Sequence, residues 1–384
     1  MIGGALIAEG GYGCIYYPSL NESGEEEKNN CFVSKIQVIN DAALNEIHVG
    51  TIIKNINGYI NHFAPVINNN SLNKKIIKHD KLKKCSIIKS KRKNDDLIIL
   101  KMDYIEGKTF DQHIIDETNN RELTFNIINS FIHLTKAISI LIDNNIVHFD
   151  LKEDNIMFNN NKKIPILIDF GLSRQFNNIQ NLSQNLEKLK TYFYIFAPQY
   201  YIWPIEIHFL SYLLNVSENI SNDEILNIVN QYIENNPVFT YLSSDFTIKY
   251  KNICIKQLKY YNLFEHNQKI KKILTFWKTW DSYSLSIMFL RIICLLNYDG
   301  FSYNIFTSFF SEILLQNIHP DPTKRLSIQE TKFKFSKFLY DKNINNIIHF
   351  KEVVKLFQKN KNSINKELLL NKKKYNTLNK LIKK

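Results

Sequence analysis

Cysteine is scarce in this chain and poorly placed for cross-linking. Its five cysteines (Cys14, Cys31, Cys85, Cys254, Cys294) are odd in number, widely scattered and form no CxxC pair. A disulfide framework and a zinc site are therefore not expected, and a reducing compartment, the cytoplasm, is the natural home. No stretch approaches about eighteen uninterrupted apolar residues, so no membrane span is expected. The opening MIGGALIAEGGYG lacks a basic segment leading into an apolar core, which argues against a signal peptide. No internal repeat is visible. Acid is in deficit: 37 Asp and Glu face 49 Lys and Arg, a formal net charge of +12.

What is present fits a globular chain. Hydrophobic residues make up 44%, too many for disorder, and 384 residues suit two lobes or domains better than one core. Abundant Asn, Ile and Lys point to a compositional bias behind many of the lysines. A basic surface nevertheless favours anionic partners. The densest run, KKIIKHDKLKKCSIIKSKRK (74–93), sets ten Lys and Arg against Asp80. A solvated loop is its plainer reading, because no stacking aromatics interleave the lysines, and nucleic acid is not excluded. The tail NKKKYNTLNKLIKK (371–384) reads the same way.

The first hundred residues pattern as short strands around one helix. ALIAEGGYGCIYYP suggests two strands joined by a glycine turn, and CFVSKIQVI a third strand. DAALNEIHVGTIIKNI then reads as a helix capped by Asn40 or Asp41. The compact apolar run in NDDLIILKMDYIEG is another strand. From Thr124 the pattern turns helical, with Ile127, Ile128, Phe131, Leu134, Ile138, Leu141 and Ile142 forming one apolar stripe that Asn144–Asn145 ends. Two short strands follow, IMF and PILIDF. SNDE at 221–224 is a capping box ahead of Ile225, Ile228, Val229, Tyr232 and Ile233.

Several polar residues sit where chemistry would need them. EGGYG at 9–13 brings backbone N–H groups near any phosphate, although glycine turns are common in hairpins. Lys35, flanked by apolar neighbours, could extend an ammonium to the same phosphates or simply snorkel from a strand edge. A half-buried lysine wants a carboxylate, and Glu46 lies inside the following helix. Asp150 and Asn155 are five apart, and Asp169 ends ILIDF. An Asp plus an Asn amide oxygen suffices for Mg²⁺ when phosphate oxygens complete the shell. Asp150 is then free to accept a hydroxyl proton, with Lys152 close by to steady the transferred group. Each of these alone is more often structural than catalytic; their order and spacing together are not accidental.

The chain resembles eukaryotic-type serine/threonine protein kinases. HFDLKEDN matches the catalytic-loop pattern, DFG stands intact at 169–171, EGGYGCI resembles the glycine-rich loop and VSK the strand with the ATP lysine. WPIE (203–206) resembles the close of the activation segment, DSYSL (281–285) the start of a long helix, and HPDPTKRL (319–326) the segment whose Arg325 pairs with Glu206. The form GGYGCIYYP and a long insertion after WPIE are also similar to kinases of large cytoplasmic DNA viruses, which would place the protein in host cytoplasm or virion. The resemblance covers about residues 5–340. It implies an α+β, bilobal kinase-like fold: a small antiparallel-sheet N-lobe (1–106) and a larger helical C-lobe (107–340). A helical insertion at about 207–280 and a basic helical extension (341–384) complete it.

The same resemblance implies roles. Ala8, Gly10, Gly11 and Gly13 would cover the phosphates of ATP and Ile15 the adenine. Lys35 would contact the phosphates and pair with Glu46. Asp150 would be the base, Lys152 its neighbour, and Asn155 and Asp169 the ligands of Mg²⁺, which Mn²⁺ can replace. Met102 would gate the adenine pocket, with Asp103, Tyr104 and Ile105 as the hinge. Lys152 fits the serine/threonine class, so the substrate would be a protein hydroxyl. The alternatives are a catalytically dead scaffold, which usually has lost Lys35, Asp150 or Asp169, and a small-molecule kinase, against which Lys152 and the Glu206–Arg325 pair argue.

Four departures from the family pattern stand out. Ala8 replaces the first loop glycine. Phe149 replaces the arginine that binds an activation-loop phosphate, so the enzyme is expected not to be switched on that way. The interval from Lys35 to Glu46 is short, with Gly50 where a bulky residue is expected, so the helix could sit differently or need a partner. APQ (197–199) competes with WPIE as the closing motif, and WPIE keeps the glutamate. The insertion reads as core elaboration or as a substrate or partner surface.

Overall fold

The structure is a computed structural model that describes residues 5–9, 13–72, 82–86, 96–117, 120–298, 305–340 and 375–376. The basic segments at 74–93 and 371–384 and the proposed helical extension fall largely or wholly outside the described residues. The chain divides into two compact units. The first is Met1–Gly107 with Met157–Asn161 and Ile166–Ser173; the second is Lys108–Ile156 and Lys162–Pro165 with Arg174–Lys384.

The first unit is built on a five-stranded sheet. Its strands are β1 (Ala5–Glu9), β2 (Cys14–Tyr17), β3 (Phe32–Val38), β4 (Val66–Ser71) and β5 (Leu97–Asp103), in the order β1-β2-β3-β5-β4, every pair antiparallel. Strand β5 lies inside the sheet and is covered on both faces, which explains its continuous apolar run. Leu97 and Ile99 join Cys14, Tyr16 and Ile36 in one cluster. Ile98, Leu100 and Met102 join Ala43 and Val66 in another, on the alternation a strand imposes. Strand β4 had no apolar signature: VINNNS is an edge strand whose asparagines are mostly exposed.

The helix α1 (Asp41–Lys54) packs on the second cluster, and Asn40 caps it by accepting from the Ala43 N–H. Gly50 explains how closely it packs. A Cβ there would lie 2.5 Å from the Val66 carbonyl oxygen, so a bulky residue would push the helix off strand β4. Gly13 has a similar reason: its Cβ would meet the Ile36 carbonyl oxygen at 2.9 Å.

One expectation is overturned here. Cys14 and Cys85 form a disulfide, with their Cα atoms 6.0 Å apart across 71 residues of sequence. The scattered spacing hid this because β2 and the turn Leu82–Lys84 belong to one apolar cluster. The cysteines therefore no longer argue for a reducing compartment. Cys31 is an exposed free thiol and Cys254 a buried one.

The second unit is helical. Its long helix α2 (Asn120–Asp143) begins a few residues before the expected start, and the whole predicted stripe from Ile127 to Ile142 is buried. By length and composition Glu122–Asp143 could cross a membrane, but most of it is buried inside the fold. Phe131 is central, with the rings of Phe289, Phe310 and Phe335 within 5.2 Å. After WPIE come α3 (Ile205–Asn215), α4 (Asn222–Glu234), α5 (Ser244–Asn262) and α6 (His266–Leu274), followed by α7 (Trp280–Tyr298). The Ser221–Glu224 capping box starts α4 as read from the sequence. Glu206 and Arg325 meet as a fully buried bidentate pair, Nη1 to Oε1 at 2.5 Å and Nη2 to Oε2 at 2.8 Å. Removing either partner would strand a buried charge, a loss of about 3–5 kcal/mol.

His208 on α3 gives the second unit a predictable pH response. It is fully buried, and burial pushes its imidazole down to about 3 against backbone groups of Tyr200 and Trp203 that favour the charged form. The folded state keeps it neutral, whereas the unfolded chain takes up a proton as pH falls below about 6.5. Stability is thus lost on acidification. Urea unfolding at pH 7.5 and pH 5 should show the wild type losing about 2 kcal/mol more than His208→Phe. Equal losses would show that His208 is accessible to protons in the fold.

Candidate active site

Two clusters of polar residues form, one in each unit. In the first, Lys35 on β3 projects its Nζ to Glu46 Oε2 at 2.9 Å and to Asp169 Oδ1 at 3.2 Å. The short interval between Lys35 and Glu46 is therefore no obstacle to the pair. Close packing at Gly50 brings the helix near enough to the sheet. Burial alone would lower the Lys35 ammonium, but the Glu46 and Asp169 carboxylates overcome it and hold it above its ordinary value. Two carboxylates against one ammonium leave the trio with a net negative charge. A net negative set of oxygen donors attracts a hard divalent cation, so Asp169 fits magnesium.

Asp169 stands in the left-handed region, φ 59°, just beyond the strand Ile164–Leu167. Its Oδ1 accepts from the Gly171 N–H at 3.3 Å, and Phe170 is buried edge-on against Phe63. Asn45, which the sequence reading passed over, fastens the following turn. Its Nδ2 donates to the Gly171 carbonyl at 3.2 Å and to the Ser173 carbonyl at 2.8 Å. Only its place beside Glu46 could have hinted at this.

Other expected ATP-binding positions lie in the same unit. Ala8 pairs with Ile15 across β1 and β2, and Ile15 pairs with Lys35 on β3. Gly10 and Gly11 lie outside the described residues. Met102 is buried near the end of β5, where Asp103 pairs with Phe32. Tyr104 N–H donates to the Cys31 carbonyl at 2.8 Å, and its ring stacks on Tyr17 at 3.9 Å, ahead of Ile105.

The second cluster surrounds Asp150. Asn155 Nδ2 donates both to Asp150 Oδ2 and to the Asp150 backbone carbonyl, each at 2.8 Å. This use of the amide nitrogen leaves the Asn155 oxygen to serve as a ligand. Lys152 Nζ lies 3.4 Å from Asp150 Oδ2, while the Tyr200 hydroxyl donates to Asp150 Oδ1. The loop itself hangs on Asp281, whose carboxylate accepts the N–H of His148 at 2.7 Å and of Phe149 at 3.0 Å. Burial pushes Asp281 up, opposed by His148 and by those two N–H groups. Nearby, Arg291 Nη1 meets Glu153 Oε1 at 3.1 Å and the Tyr201 hydroxyl at 3.4 Å.

Phe149, where an arginine would read a phosphate, sits at φ 68° with its ring in an aromatic cage. Trp203 is 4.7 Å away, Phe193 5.7 Å and Trp280 5.9 Å. Trp203 Nε1 also donates to the Phe149 carbonyl at 2.6 Å. Neither Tyr200 nor Trp203 stood out in the sequence as belonging to the site, because their partners lie more than forty residues away.

Residues 60–200 match the family model of the protein kinase domain. That span holds Asp150, Asn155 and Asp169 but not Lys35, Glu46 or Glu206, so these three stand on motif and geometry. A Caenorhabditis elegans protein, serine/threonine-protein kinase nekl-2, is 34% identical over 88 residues, 21% of this chain and 25% of that protein. Two Dictyostelium discoideum proteins, described as probable serine/threonine-protein kinases fnkE and mkcE, are 36% identical over 85 residues and 32% identical over 112 residues. The matches cover 21% and 29% of this chain and only 6% and 15% of those proteins. The chain thus matches a quarter or less of each relative's length. The similarities are to serine/threonine protein kinases and cover part of the chain, and the antiparallel strands and helices described above are consistent with a kinase-like α+β fold.

Asn45 offers a test of the first cluster. Asn45→Ala removes two hydrogen bonds, a loss of about 1–3 kcal/mol, from the turn after Asp169. Amide hydrogen exchange over residues 170–174 should speed up by about 10-fold or more, while strand β5 stays unchanged. Unchanged exchange in that turn would show that Asn45 does not hold it.

Proposed function

We propose that the protein transfers the γ-phosphate of Mg-ATP to a serine or threonine hydroxyl of a protein substrate. The observation that carries this reading is the Lys35–Glu46–Asp169 trio, in which a buried lysine is held by one carboxylate and shared with a second. In this reading Lys35 contacts the α- and β-phosphates and Glu46 fixes its direction. The loop with Ala8, Gly10, Gly11 and Gly13 covers the phosphates. Ile15, Met102, Asp103 and Ile105 receive the adenine. Asn155 and Asp169 are the metal ligands, and bound magnesium would neutralise charge that develops on the phosphates.

Asp150 then accepts the proton of the substrate hydroxyl, with its carboxylate oriented by Asn155, and Lys152 supplies positive charge to the transferring group. The retention of Lys35, Asp150 and Asp169, each with its partners in place, favours an enzyme over a scaffold. Phe149 in its cage favours a catalytic loop that is ordered without a phosphate. The protein substrate, a viral origin and a cytoplasmic or virion location belong to the same proposal.

Transfer of labelled γ-phosphate from Mg-ATP to generic acidic and basic proteins tests the reading. Label should appear on serine or threonine, and Asp150→Asn should lower the rate by about 10²–10⁴-fold. Asp169→Asn should lose transfer as well. A wild type that binds ATP but transfers nothing, or an Asp150→Asn variant that keeps its rate, would contradict it.

A further inference from the structure

We propose that Tyr200 is a modification site, phosphorylated in cis by the chain's own catalytic centre. The inference rests on the kinase reading above and begins with the hydroxyl seated on Asp150. Oδ2 of Asp150 is taken by Asn155 Nδ2 at 2.8 Å and by Lys152 Nζ at 3.4 Å. Oδ1 accepts from the Tyr200 hydroxyl. A general base must lie within hydrogen-bond reach of the proton it removes, and Tyr200 meets that condition without any encounter.

The surrounding contacts hold it there. Tyr200 N–H donates to the Ala197 carbonyl at 2.8 Å, and the ring packs edge-on against Trp203 at 4.9 Å. Trp203 is tied to the catalytic loop through its Nε1 bond to the Phe149 carbonyl at 2.6 Å. Lys152 Nζ stands 6.0 Å from the Tyr200 ring centre. Tethering a hydroxyl at its base replaces a bimolecular step by an intramolecular one, with effective concentrations of about 10⁵ M or more in favourable cases. The length of the tyrosine side chain delivers the hydroxyl, so a preference for serine and threonine in separate substrates does not bar the reaction.

The step balances with ATP as the only co-reactant. The Tyr200 oxygen forms a bond to the γ-phosphorus as the bond from that phosphorus to the β,γ-bridging oxygen breaks. ADP leaves, and the phenolic proton passes to Asp150 and on to water. The product places a phosphate of charge about −1.5 to −2 beside the Asp150 carboxylate, which repels it. Phosphotyrosine therefore leaves its seat, each chain reacts once, and Oδ1 opens to a substrate hydroxyl. Before that, substrate competes for the same oxygen. A single hydrogen bond is a modest net hold, so bound substrate can displace Tyr200, and modification is not a condition for activity.

The test uses the full chain, treated with phosphatase, incubated with Mg-ATP and a generic protein substrate, with phosphopeptides mapped by mass spectrometry. Isotope-labelled Asp169→Asn chain is mixed in, since it keeps Tyr200 and Asp150 but lacks a metal ligand. Phosphate should accumulate on Tyr200 of the active chain toward one per chain. Its rate per chain should not depend on enzyme concentration, and the inactive chain's Tyr200 should stay unmodified. Excess protein substrate should slow the modification. Transfer to the protein substrate with Tyr200 untouched would overturn the inference and leave the kinase reading standing. So would a rate that rises with enzyme concentration or equal labelling of the inactive chain. No transfer to any acceptor would overturn both.

Discussion

The second unit's site depends on how one residue is held. Phe149 adopts φ 68°, a conformation that costs a bulky side chain on the order of 1–3 kcal/mol and persists only when its surroundings over-determine it. They do so at each group it offers. Asp281 accepts its N–H, Trp203 donates to its carbonyl, and Trp203, Phe193 and Trp280 enclose its ring. Asp150 is the next residue, so its direction follows. In place of a cation that waits for a phosphate, the loop is fixed by aromatic packing and by a buried carboxylate, neither of which needs a modification to form.

The first unit solves a different problem, that of keeping a charged lysine inside a protein. Lys35 is buried, and its two carboxylate partners make that burial tolerable. The geometry reaches back to ordinary packing. Gly50 lets α1 touch the backbone of β4, and the same helix presents Glu46 to Lys35 and Asn45 to the turn after Asp169. A larger residue at position 50 would push α1 off β4 and so disturb both the Glu46 and the Asn45 contacts.

Local signals were legible in the sequence. The stripe of α2, the capping box at Ser221, a cap at Asn40 or Asp41 and the strand β5 each follow from periodicity, cap chemistry or a compact apolar run. Asp150 and Asp169 could be read because each stands in a short contiguous motif, HFDLKEDN and DFG. What escaped depends on contacts between distant segments. Tyr200 reaches Asp150 across fifty residues, Asp281 reaches His148 across 133, and Cys14 meets Cys85 across 71. Strand β4 escaped for another reason: an edge strand needs no apolar alternation, and its asparagines read as a loop. Gly13 was read for phosphate approach, and its close packing on β3 supplies a second, structural reason for the same residue.

The central claim is that packing around Phe149, and not a phosphate on residues 172–202, orders the catalytic loop. The direct measurement is the time course of phosphate transfer to a protein substrate by fully dephosphorylated enzyme, with phosphorylation of the chain followed in the same samples. The account predicts measurable transfer from the first time point, before any residue of 172–202 carries phosphate. A lag that ends only as phosphate appears in that segment would contradict it.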